Sequence, residues 1–287
     1  MRLPFLILTP ACVVLGLGTA VWSFGDVSVF HFVLALVGGI SAHISVNAFN
    51  EYFDFRSGLD FKTQRTPFSG GSGTLPAKPE LARQALTTAI VSFAVVCLIG
   101  LYFLSVRGMA LLPLGVAGLL VVVVYTPWLA HNPYICLIAP GLGFGSLMVV
   151  GTHFVLTGEY SWTAFIASFV PFFLVSNLLL LNQFPDVEAD RSVGRKNFPI
   201  VVGRRASSLI YGVFLLLAFL TIVLGVLLEY LPAMSLIGLI ALGLALPAFL
   251  GAYRYAEDVK RLIPYLSLNV VINIVTPVLV AIGLFVG

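Results

Sequence analysis

Two short clusters of acids and amides interrupt an otherwise apolar chain. The first reads Asn50-Glu-Tyr-Phe-Asp54 and continues to Asp60; the second reads Asn182-Gln-Phe-Pro-Asp186-Val-Glu-Ala-Asp190. Basic residues follow each one: Arg56, Lys62 and Arg65 after the first, Arg191, Arg195 and Lys196 after the second. Carboxylates and amide oxygens at this density suit a hard divalent cation such as Mg²⁺, one ion or two, which keeps several waters and shares its other positions with phosphate oxygens. Lys and Arg suit the phosphates themselves. Together these residue types point to chemistry on a diphosphate.

Spacing says how such groups would be aimed. On a helix, Asn182, Asp186 and Asp190 fall at i, i+4 and i+8 and project from one face. Asn50 and Asp54 repeat the interval, and His43 and Asn47 extend the stripe toward the N-terminus of the same helix. Asp60 lies beyond Gly58, where the helix is expected to stop and the chain to fold back. The expected metal ligands are therefore Asn50, Asp54, Asp60, Asn182, Asp186 and Asp190, with Asn50, Asp54, Asn182 and Asp186 central to catalysis. Lys62, Arg65, Arg195 and Lys196 are the expected diphosphate-binding residues. Glu51 and Glu188 point away from the stripes and read as solvated or paired with Arg. The glycine-rich segment from Lys62 to Thr74 lacks the Gly-Lys-Ser/Thr of a Walker A loop. It reads as a lid over the diphosphate or, alternatively, as a flexible linker.

The elements that carry these clusters are membrane helices. Of 287 residues, 60% are hydrophobic and 9% charged, with a mean hydropathy of +1.07. A soluble domain of this length carries roughly 25% charged residues. Apolar segments at 3–24, 28–53, 84–105, 108–130, 134–156, 162–184, 206–228, 232–253 and 264–286 predict nine transmembrane helices, each about the ~20 residues a bilayer crossing needs. With the N-terminus in the cytoplasm, 14 of the 15 Lys and Arg residues fall on the cytoplasmic side, Arg107 being the exception. This is the positive-inside pattern, and it puts the C-terminus outside. Both acidic clusters then end spans that run from outside to inside, so they reach the same face. Four spans separate them, which suggests an internal repeat of four helices with a ninth appended. The expected class is all-α, a single integral membrane domain over residues 1–287, with membrane lipids as surroundings and no nucleic-acid partner. Cys12, Cys97 and Cys136 have no paired spacing and read as small apolar core residues.

The paired motifs, together with Thr66-Pro-Phe-Ser-Gly-Gly-Ser, resemble the UbiA superfamily of intramembrane prenyltransferases. Gly145-Ser-Leu-Met-Val-Val-Gly-Thr-His153 and Thr157-Gly158 are similar to its branch that acts like 1,4-dihydroxy-2-naphthoate polyprenyltransferase, in menaquinone synthesis. The resemblance implies nine helices around a central cavity, Mg²⁺, a polyprenyl diphosphate donor such as geranylgeranyl diphosphate, and an aromatic or lipid-soluble acceptor. The chain departs from the family pattern in three places. Glu51 stands where Asp is more usual, no basic residue follows Tyr125 in the stretch to His131, and no acid opens the fifth span at Tyr134–Pro140.

The chemistry expected is ionisation of the allylic diphosphate. Tyr52, Tyr125 and Phe184 are candidates to face the resulting carbocation with their rings, with interfacial anchoring or core packing as the alternative. Tyr265, Asn269 and Asn273 form a further polar stripe on the ninth span, and Asn47 and these residues are candidates for an acceptor pocket or for interhelical hydrogen bonding. Alternative functions are prenyl transfer to a glycerol phosphate ether in archaeal lipid synthesis and ion-coupled transport. Transporters place ionisable groups near mid-bilayer, whereas here they gather at one face.

Overall fold

The computed structural model describes residues 3–125 and 131–287. Nine long apolar helices are found among the described residues, and no strand: α1 (Phe5–Phe24), α2 (Val29–Arg56), α3 (Pro79–Arg107), α4 (Met109–Val124), α5 (Pro133–Thr157), α6 (Trp162–Asn182), α7 (Arg204–Leu227), α8 (Ala233–Arg254) and α9 (Val259–Val286). All but α4 are long enough to cross a bilayer, and the last five residues of the predicted fourth span, 126–130, lie outside the described residues.

Two boundaries differ from the sequence expectation for physical reasons. Helix α9 begins at Val259 rather than 264, because the Asp258 carboxylate accepts the backbone N–H of Arg261 at 3.2 Å and caps a turn that carries Lys260 and Arg261. An N-cap of this kind satisfies donors that the first turn leaves unpaired. Helix α6 stops at Asn182 rather than 184. Pro185 supplies no N–H and crowds the carbonyl four residues back, which ends a helix.

Helix α6 is the hub, with 67% of its apolar stretch buried, against 11% for α2 and α3. It packs against α1, α5, α7 and α9, while α2 lies chiefly against α3. Close approach of α5 and α6 depends on glycine: a Cβ on Gly145 would lie 2.6 Å from the Cα of Phe172. Large side chains such as Val29, Leu98 and Ile240 remain exposed at the periphery, as expected where hydrocarbon replaces water as solvent. Between α1–α6 the packing leaves a cavity of about 520 Å³. None of the described residues of α7, α8 or α9 lines it.

Candidate active site

The first motif is held by an unbroken helix. Asn47, Asn50, Glu51 and Asp54 all line the cavity from the C-terminal half of α2. Asn50 Nδ2 donates to Asp54 Oδ2 at 3.1 Å, and Asn47 Nδ2 donates to the His43 carbonyl at 3.0 Å. Beyond α2, Gly58 takes a left-handed conformation (φ 80°) that turns the chain back, and Asp60 enters the same cavity, 4% exposed. Burial, and then the neighbouring Asp54 and Glu51, push the Asp60 carboxyl up to about 7. Glu51 corrects an expectation. It is not solvated but buried at the cavity wall, accepting a hydrogen bond from the Ser72 hydroxyl.

The second motif is built differently. The expected single stripe over Asn182, Asp186 and Asp190 is broken, because residues 183–186 form a turn at Pro185 and a short helix, Val187–Ser192, starts afresh after Asp186. All three residues still line the cavity. They do so through contacts distant in sequence. The Gly70 N–H donates to Asp186 Oδ2 at 3.0 Å, with Gly70 at φ 80°, a conformation that glycine adopts without cost. Asn197, absent from the expected site residues, donates from Nδ2 to Asp190 Oδ2 at 2.9 Å while its Oδ1 caps the helix Phe198–Val201. Burial raises the Asp190 pKa, and Arg195 opposes that rise.

Arg195 joins the two motifs. Its guanidinium pairs with Asp54 of the first and, at 3.3 Å, with Asp190 of the second. It is the one Lys or Arg lining the cavity among the described residues, against five carboxylates: Glu51, Asp54, Asp60, Asp186 and Asp190. Five of the chain's 12 acids and one of its 15 bases thus meet at one mouth. Asn182 Oδ1 and Asp60 Oδ2 are buried there with no hydrogen-bond partner, an arrangement that is costly unless another ligand engages them.

From Asp54 the cavity follows α2 back to Ala35, which is about 28 Å at 1.5 Å per residue. Beyond the mouth its walls are mostly Gly, Ala, Val, Leu and Phe, with His43 and Thr152 as polar exceptions. His43 is anchored through Nδ1 to the Thr9 hydroxyl at 2.8 Å and meets Phe144 edge-on. Tyr125 faces the mouth, as does Cys136, which accepts a hydrogen bond from Gln183 Nε2 at 3.2 Å.

Several expected site residues lie elsewhere. Lys62, Arg65 and Lys196 are exposed and do not line the cavity, although Arg65 stands close enough to lower the pKa of the Asp60 carboxyl at the mouth. Tyr52 is half-buried outside the cavity, edge-on to Phe53. Phe184 is fully buried in the main apolar core, and its carbonyl accepts from Arg204 Nε at 2.8 Å. Tyr265 stacks with Tyr255 near Gly251. Asn269 accepts from the Tyr211 hydroxyl at 3.2 Å, and Asn273 Nδ2 donates to the Asn269 carbonyl at 2.8 Å. The polar stripe of α9 is therefore interhelical glue tying α9 to α6 and α7, not a pocket wall. The remainder of the Tyr125–His131 stretch, residues 126–130, lies outside the described residues.

Comparisons with known proteins agree with this architecture. The model of the UbiA prenyltransferase family matches residues 9–273. A 1,4-dihydroxy-2-naphthoate octaprenyltransferase of Bacillus subtilis is 27% identical over 220 residues, 75% of this chain and 69% of that protein. A digeranylgeranylglyceryl phosphate synthase of Methanobrevibacter smithii is 23% identical over 178 residues, 62% of this chain and 60% of that one. The fold matches the apo structure of a UbiA homolog from Aeropyrum pernix K1 with a TM-score of 0.75 at 16% identity, covering 100% of this chain and 98% of the other. It also matches a UbiA homolog from Archaeoglobus fulgidus, determined with GPP and Mg²⁺, with a TM-score of 0.62 at 15% identity and 98% coverage of both. With a family match over nearly its whole length, nine apolar helices among the described residues and an acid-mouthed cavity between the first six, this chain belongs to the UbiA prenyltransferase family and is an integral membrane enzyme of prenyl transfer.

Proposed function

We propose that this enzyme transfers a polyprenyl group from a polyprenyl diphosphate to an aromatic acceptor, in menaquinone or related quinone synthesis. One observation carries the donor: five carboxylates and one guanidinium share the mouth of a long apolar cavity. A diphosphate, itself anionic, meets more carboxylates than cationic side chains among the described residues there, so it is expected to arrive with cations. The apolar length beyond the mouth suits a hydrocarbon tail.

The residues fit Mg²⁺ by donor type. No three His, Cys, Asp or Glu residues converge closely enough to hold a metal unaided among the described residues. A cation that keeps waters and takes phosphate oxygens needs fewer protein ligands, and the buried, unpartnered oxygens of Asn182 and Asp60 offer it some. Asn50, Asp54, Asp60, Asn182, Asp186 and Asp190 would hold one or two ions. When bound, Mg²⁺ supplies positive charge against the charge that develops on the departing diphosphate.

The chain's own groups do the rest. Arg195 and the Gly70 amide stand beside the acids as donors for diphosphate oxygens. The C–O bond breaks with its electron pair on the diphosphate, and the allylic carbon keeps the positive charge. Tyr125 at the mouth offers its ring face to that charge, and apolar walls keep water from capturing it. The acceptor then bonds to the allylic carbon and loses the proton it carried at that atom. The similarity to the Bacillus subtilis enzyme supports the naphthoate type of acceptor, and the similarity to the archaeal synthase supports a second reading, transfer to a glycerol phosphate ether.

The charge pattern supports a cytoplasmic N-terminus and mouth. Arg107, the one basic residue assigned outside, sits at the opposite end of the bundle from the acids, donating to the carbonyls of Val155 and Leu156. The deciding experiment incubates purified protein with Mg²⁺, geranylgeranyl diphosphate and, in turn, dihydroxynaphthoate, 4-hydroxybenzoate and a geranylgeranylglyceryl phosphate. A prenylated naphthoate product is expected. Absence of any prenylated product across the panel would refute the proposal.

A further inference from the structure

The acids of both motifs already have protein partners. Arg195 spans Asp54 and Asp190, and the Gly70 N–H sits on Asp186. These are the groups a diphosphate would want as donors, and the carboxylates they occupy are the groups a divalent cation would want as ligands. Arg195 is buried in the mouth with 17% of its side chain exposed, so the two demands compete at one place.

We infer that the site works by exchange of partners: Arg195 and the Gly70 amide neutralise the two acid motifs before substrate arrives, then pass to the diphosphate as its divalent cation takes over the carboxylates. The inference rests on the prenyl diphosphate proposed above and concerns how that ligand is admitted.

The physical case lies in what each partner would do alone. A divalent cation that takes Asp54 and Asp190 as ligands with no anion present displaces a guanidinium from both carboxylates and leaves it buried without a partner, which is strongly unfavourable. A diphosphate alone must enter beside carboxylates that keep their excess charge. Together the two complete the exchange, since every carboxylate regains a cation and every donor regains an anion. Each ligand should therefore strengthen the binding of the other by the same factor, as linkage requires. A lysine in place of Arg195 would keep the charge but lose the planar fork that reaches both acids.

The test uses full-length protein in detergent, with Mn²⁺ and radiolabelled inorganic pyrophosphate as probes. Mn²⁺ binding without any anion is measured by electron paramagnetic resonance, and pyrophosphate binding by equilibrium dialysis at zero and saturating Mn²⁺. Arg195→Gln should bind Mn²⁺ alone about tenfold more tightly than the wild type and bind pyrophosphate with Mn²⁺ about tenfold more weakly. Opposite movement of the two affinities is the signature, because a residue with a purely structural role would weaken both. If Arg195→Gln does not yield folded protein, Arg195→Lys should tighten Mn²⁺ alone by about threefold. Affinity for Mn²⁺ alone that is unchanged or weaker in the folded variant overturns the exchange and leaves the prenyl diphosphate proposal standing. A wild-type protein that binds no pyrophosphate at any Mn²⁺ concentration overturns both.

Discussion

Asn50 and Asp54 sit one turn apart on an unbroken helix, whereas Asn182 and Asp186, at the same interval in sequence, are separated by the turn at Pro185. The ladder of α2 sets the direction of the first pair and Asn50 bonds directly to Asp54, which also pairs with Arg195, 141 residues away. The second has no such ladder: Gly70 reaches Asp186 across 116 residues of sequence, while Asn197 and Arg195, 7 and 5 residues on, hold Asp190. Equal spacing therefore does not mean equal geometry. One motif lies on a continuous helix, and the other on a turn held by the loops around it.

The largest effects should be common to both motifs. Asp54→Ala and Asp186→Ala are each expected to lower turnover of geranylgeranyl diphosphate by about 10³-fold or more, the scale seen when charge stabilisation at a developing anion is removed. Retained turnover in either variant would remove that motif from the site. Pro185→Ala sharpens the contrast. It restores the missing N–H, so α6 can run on and Asp186 turns with it. Turnover should fall by about 10²-fold from misplacement alone, with the protein still folded and helicity by circular dichroism unchanged or higher. Wild-type turnover would mean that the break at Pro185 has no role.

Asn197→Ala leaves Asp190 one donor short and should cost about tenfold in turnover, from a hydrogen bond to a charged group worth ~1.5–3 kcal/mol. Asn269→Leu tests the opposite kind of residue. Stability by thermal or denaturant unfolding should drop by about 1–2 kcal/mol, while kcat of the folded fraction stays at the wild-type value. The smallest effect is expected from Lys62→Ala and Lys196→Ala, each changing kcat/KM by less than about threefold, because exposed charges are screened by water and salt. A loss of tenfold or more at either would bring those loops into the site.

Chemical type is the better guide to where a residue sits in this chain. Asn47, Asn50, Asp54, Asp60, Asn182, Asp186, Asp190, Tyr125 and Arg195 all line one cavity, because acids and amides are too costly in a bilayer to be placed without use. Selection by neighbourhood in sequence did worse. Lys62, Arg65 and Lys196 resemble Arg195 in type and position, yet of these four Arg195 alone lines the cavity, with Arg65 exposed but near enough to act on Asp60. Phe184 lies two residues from Asp186 and is core. Tyr265, Asn269 and Asn273 show the right period for an inward face, and period reports which way a residue points but not whether the space there is empty.

Amino-acid type and order by themselves determined that the chain crosses a membrane, how many helices it folds into, and which oxygens gather at one end. Hydropathy is a property of each segment, and the cost of burying an acid in hydrocarbon does not depend on the fold. The tertiary structure decided that Glu51 faces inward onto Ser72, that Asn197 holds Asp190, and that one arginine bridges two motifs 136 residues apart at Asp54 and Asp190. Those contacts depend on where a proline stops α6 and how a glycine loop folds back over it, which no local preference specifies.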